Sequence, residues 1–128
     1  MTEQSNIKLT IALSDPELDE EELDEAARKL LQEMNELDEV EQANLVKVEQ
    51  APEGSKAIAG FVLGMLEAVV DVGKVPGFMS FLGDRFGGKP TPIEMEVEAN
   101  GRKLKLKASN QQELLIAIRA AEDFIMPD

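Results

Sequence analysis

The chain has 128 residues, a formal net charge of −13, and no Cys, His, Trp or Tyr. That length suits one domain with its own core. Without Cys or His there is no disulfide, no thiolate zinc site and no imidazole base for a nucleophilic triad. The acidity is also wrong for nucleic acid or anionic lipid, which draw proteins through Lys and Arg. It is concentrated early: residues 1–50 carry 15 acidic and 4 basic side chains, residues 51–128 carry 11 and 9.

Met1 to Asn6 is polar and is expected to be disordered. It has no basic segment followed by an apolar run, so it does not read as a secretory signal, and a cytoplasmic location is the default expectation. Ile7, Leu9, Ile11 and Leu13 alternate with Lys8, Thr10 and Ala12, the period of a strand. Ser14 and Glu17 around Pro16 suggest a capping box opening a helix. Leu23, Ala26, Ala27, Leu30, Leu31, Met34 and Leu37 then form one apolar stripe at helical spacing. Asn44 to Gln50 reads as a second strand, and Ala51-Pro52-Glu53-Gly54 as a turn.

Ala57 to Gly88 is a glycine-punctuated apolar segment. Ser55 is a candidate cap for a helix from Lys56 to about Val72, with Ile58, Phe61, Val62, Met65, Leu66, Val69 and Val70 on a wide stripe. Gly60 and Gly64 form a G-x-x-x-G pair, and Glu67 is the one charge between Ala57 and Val70. Gly73 to Gly77 breaks this helix, and a short apolar piece, Phe78 to Phe86, follows. A helix apolar nearly all round has more surface than a two-layer domain covers. Its outer face, with Gly60, Phe61, Leu63, Gly64 and Glu67, is therefore the expected partner-binding surface, joined by Phe78 and Phe81. The run is too short for a membrane span, which needs about 20 apolar residues; weak membrane contact by a released 57–86 segment is the alternative reading.

The strongest local signal is Ile93 to Ala99 and Arg102 to Ala108, two alternating runs joined by Asn100-Gly101, a dipeptide that favours a tight hairpin turn. The register that follows sets Glu98 against Lys103, Glu96 against Lys105 and Glu94 against Lys107, with Val97 opposite Leu104 and Met95 opposite Leu106. Ser109 and Gln112 suggest a cap for a last helix, whose buried stripe is Leu114, Leu115, Ile118, Ala121 and Ile125. The expected fold is one α+β domain. It is a two-layer sandwich in the order β-α-β-α-β-β-α, a four-stranded mixed sheet with helices on one face.

Three constellations invite chemistry. Gly83-Asp84-Arg85-Phe86-Gly87-Gly88-Lys89 matches most of a phosphate-binding loop, but Pro90 stands where Ser or Thr would hold Mg²⁺, and a helix precedes it where a strand is needed. A nucleotide site through 83–89 is the least favoured reading. Glu17, Asp19, Glu20, Glu21, Glu22, Asp24 and Glu25 radiate around a helix start, where the dipole favours negative charge, so no metal site is expected. Lys103, Lys105 and Lys107 form a basic row that the neighbouring Glu row offsets, so no nucleic acid is expected there. No catalytic residue and no cofactor are expected.

Several of these features together resemble the bacterial effector-associated constant component family. They are Ile7-Lys8-Leu9-Thr10-Ile11, the acidic helix start, Leu45-Val46-Lys47-Val48-Glu49, the glycine-rich middle, and the Glu94–Lys107 hairpin with Asn100-Gly101-Arg102. The resemblance covers roughly Ile7 to Ile125. It implies a non-catalytic adaptor or coupling component of signalling or conflict systems, acting beside effectors such as proteases and regulatory ATPases. A protein partner or self-association is expected.

Overall fold

The computed structural model describes residues 6–50, 57–58, 60–87, 92–99 and 101–125. Strand β1 (Asn6–Leu13) leads into helix α1 (Glu20–Asn35) and strand β2 (Val40–Lys47). A two-residue strand β3 (Ala57–Ile58) turns back into the long strand β4 (Phe61–Asp71). Helix α2 (Val75–Gly87), the hairpin β5 (Ile93–Ala99) and β6 (Arg102–Ala108), and helix α3 (Gln111–Ile125) complete the fold.

The sheet order is β2-β4-β1-β5-β6, with β3 paired to β4. Every neighbouring pair is antiparallel. The expected four-stranded mixed sheet and its β-α-β-α-β-β-α order are therefore wrong. β1 and β2 do run parallel, but β4 is inserted between them. β4 and β5 run parallel with β1 between them. Two interleaved β-α-β units of this kind are a split βαβ, or ferredoxin-like, arrangement, here extended by β6 and α3.

The source of the error is Ala57 to Val72. Read as a helix, it is mostly a strand in which Val62, Gly64, Leu66, Ala68 and Val70 are buried and the residues between are half-buried. A run that is apolar on both faces shows no clear period, and length alone is a weak arbiter between helix and strand. Glycine geometry decides it: Gly60 and Gly64 have φ of +87° and +72°, outside the helical region. At Gly64 a β-carbon would stand 3.3 Å from the Leu13 carbonyl oxygen, so the backbone of β4 also passes close to the end of β1. The proposed helix cap Ser55 lies outside the described residues.

All three helices pack on one face of the sheet. Ile7, Leu9, Ile11 and Leu13 of β1, Leu66, Ala68 and Val70 of β4, and Ile93, Met95 and Val97 of β5 meet Ala27, Leu30 and Met34 of α1. Val75, Phe78, Met79, Leu82 and Phe86 of α2 and Leu114, Ala121 and Ile125 of α3 close the same core. Arg85 on α2 binds Glu33 on α1 at 2.7 Å and ties the two helices at the rim.

Smaller expectations shift as well. Asn6, expected to be disordered, pairs with Asp71 in the ladder, while residues 1–5 lie outside the described set. The capping box of α1 belongs to Asp19 and Glu22, not Ser14 and Glu17: the Glu22 amide donates to Asp19 at 2.8 Å and the Asp19 amide donates to Glu22 at 3.0 Å. Asp15 takes the Glu17 amide instead, so this segment is a turn before the helix. Asn110, not Ser109, accepts the first free amide of α3, from Glu113 at 2.8 Å. The second strand starts and ends earlier than expected, at Val40 and Lys47.

Candidate binding site

The face of the sheet opposite the helices is set by the same alternation that builds the core. Lys8, Thr10 and Ala12 of β1 project there because Ile7, Leu9 and Ile11 project inward. Met65, Glu67 and Val69 of β4 and Glu94, Glu96 and Glu98 of β5 join them. Lys103, Lys105 and Lys107 of β6 complete the face. Ladder pairing then fixes rows across the sheet. Glu67, Thr10, Glu96 and Lys105 form one row; Met65, Ala12, Glu94 and Lys107 form the next; Val69, Lys8, Glu98 and Lys103 form a third.

This face holds a shallow basin of about 560 Å³, floored by Thr10, Ala12, Val46 and Met65 and walled by the Glu and Lys rows. Lys8 pairs with Glu67 at 3.4 Å across β1 and β4. The hairpin register read from the sequence is the one observed, with Glu94, Glu96 and Glu98 opposite Lys107, Lys105 and Lys103. Gly101 carries the left-handed turn conformation, φ +77°, and its partner Asn100 lies outside the described residues.

The expected partner surface is only partly reassembled here. Leu63 and Glu67 lie on one face of a strand, with Met65 between them, rather than on a helix, and Phe61 starts that strand. Gly60 sits in the β3–β4 turn, and Gly64 is buried toward Leu13. Phe78 is fully buried in α2, its ring 6.1 Å from that of the half-buried Phe81, so neither belongs to a surface shared with β4. Glu67 pairs with Lys8, and Asp71 accepts the Gly73 amide at 2.8 Å at the start of a short 3₁₀ turn.

Gly83 to Gly87 forms the C-terminal end of α2, where carbonyls rather than amides are free, the wrong end of a helix for phosphate. Gly88, Lys89 and Pro90 lie outside the described residues. Among the described residues, no three acidic side chains converge as metal ligands. No helix among them is long and apolar enough to cross a membrane. A release of 57–86 toward a membrane would now have to tear a central strand from the sheet.

Sequence reasoning missed Thr10, Ala12, Val46 and Met65 as site residues. Thr10 and Ala12 were legible as the outward positions of β1. Val46 was not, because Leu45 and Val46 are both apolar and only the pairing of Leu45 with Leu66 shows that Leu45 faces the core and Val46 the basin. On the helix side the most exposed apolar residues are Leu115 and Ile116 of α3, at 57% and 63% exposure. The expected buried stripe of α3 therefore loses Leu115 and gains Ala117.

No protein-family model, no curated protein and no solved structure matches this chain.

Proposed function

We propose that this chain is a non-catalytic binding domain, an adaptor or coupling component, that receives a protein partner on the open side of its sheet. The observation that carries this reading is the face left open among the described residues: a basin lined by Thr10, Ala12, Val46 and Met65 beside parallel rows of opposite charge. Mixed charge around an apolar floor favours a partner that matches a pattern, which is how interfaces gain specificity. The resemblance to the effector-associated constant component family adds the coupling role and a bacterial signalling setting.

The test is affinity capture with cross-linking, comparing wild type with Thr10→Arg at the centre of the face, Lys105→Glu at its margin, and Gln112→Arg on the exposed side of α3. Loss of a partner, or of a self-complex, in either sheet variant with retention in Gln112→Arg is the expected result. A partner lost only with Gln112→Arg, or a strict monomer that captures nothing, overturns the reading.

A further inference from the structure

The sheet has two margins, and among the described residues only one is closed. Along β2 the register breaks twice, between Val40 and Gln42 and between Leu45 and Lys47. The Asn35 side chain also occupies the backbone there. Its Nδ2 donates to the Ala43 carbonyl at 3.4 Å and its Oδ1 accepts the Ala43 amide at 3.2 Å. A strand arriving at β2 would have to displace that side chain and follow a bulged backbone.

β6 has neither obstacle. Arg102 to Ala108 runs in unbroken register with β5. In a hairpin closed by a two-residue turn, the closing pair exchanges both hydrogen bonds, and bonded and non-bonded pairs then alternate. Ala99 and Arg102 are that closing pair, so the amides and carbonyls of Lys103, Lys105 and Lys107 point away from β5. Among the described residues no group bonds them on that side.

We propose that β6 is a docking edge for an extended acidic segment of a partner protein, added to the sheet as a further strand. The proposal rests on the binding reading above and names how the partner enters. β6 carries Arg102, Lys103, Lys105 and Lys107 and no acidic residue. None of the three lysines makes an ion pair among the described residues, although each faces a glutamate of β5.

Distance decides which row an incoming strand feels. It would lie about 4.8 Å from the lysines of β6 and roughly 10 Å from the glutamates of β5. The second distance exceeds the ~8 Å screening length of physiological salt, and the first is well inside it. The net charge of −13 that the whole chain carries is screened in the same way. The same geometry rejects a second copy, because β6 against β6 would set lysine against lysine. Leu104 and Leu106, half-buried on the helix side of β6, leave alternate apolar positions for the arriving strand. The matching segment therefore alternates acidic and apolar residues, as β5 itself does on the other flank.

A fluorescent peptide with the sequence of residues 93–99, IEMEVEA, is a direct probe. Anisotropy should report binding that weakens with added salt, and amide spectra should move at Lys103, Lys105 and Lys107 and not along β2. Lys105→Glu should weaken binding about five- to tenfold. Lys105→Pro removes an outward amide without touching the ladder to β5 and should abolish binding. If circular dichroism shows that this variant does not fold, the Lys103→Glu/Lys107→Glu pair serves in its place. The same peptide with its three glutamates replaced by lysine should not bind. No binding at low salt, equal binding to wild type and Lys105→Glu, or shifts confined to β1 and β4 overturns the proposal. A protein partner lost with Thr10→Arg but kept with Lys105→Glu also overturns it, while the open-face reading stands.

Discussion

The two faces of the sheet divide stability from recognition, and β4 shows the division within one strand. Its even-numbered residues Val62, Leu66, Ala68 and Val70 are buried against the helices or the strands beside them. Its odd-numbered residues Leu63, Met65, Glu67 and Val69 are half-buried on the open face. Neighbours in sequence thus answer to different demands: one set to close packing, where lost volume is costly, the other to water and to whatever docks. The margins repeat the contrast, with β2 sealed by bulges and Asn35, and β6 left regular and basic.

The largest effects belong to the covered face. Phe78→Ala should lower stability by about 3–5 kcal/mol in urea denaturation, because its fully buried ring leaves a cavity among α2 and the sheet. An effect under about 1 kcal/mol would show that Phe78 is a surface residue and break the contrast. Gly64→Ala should cost about 1–3 kcal/mol, from φ +72° and the Leu13 carbonyl oxygen 3.3 Å from the added carbon.

Asn35→Ala sharpens the comparison of margins. It should cost about 1–2 kcal/mol for two side-chain bonds to the Ala43 backbone. It should also speed hydrogen exchange of the Ala43 amide toward the rate of Lys105. Smallest is Glu67→Gln on the open face. The Lys8–Glu67 pair is 3.4 Å apart and its side chains are 43% and 24% exposed, so the change should stay within about 1 kcal/mol. A larger loss would mean that the open face also carries the fold.

Much of this site was legible one hairpin at a time. The β5–β6 register followed from Asn100-Gly101 and two matching ladders, because turn chemistry and alternation are local. That register alone places the Glu and Lys rows opposite each other, as they stand in the structure. The basin was not legible. It needs Met65 and Val46 brought beside Thr10, and both depend on β4 entering the sheet between β1 and β2.

By itself, the sequence determined the α+β class, the first strand, the apolar stripe of α1, the final hairpin and the last helix. Each has a period or a turn that a few neighbouring residues define. Only the tertiary structure decided that Phe61–Asp71 is a strand, that the sheet is antiparallel throughout, and that Asn35 closes the β2 margin. A continuous apolar run is compatible with helix or strand until its neighbours are in place, and strand order is a choice among distant partners that no local pattern encodes.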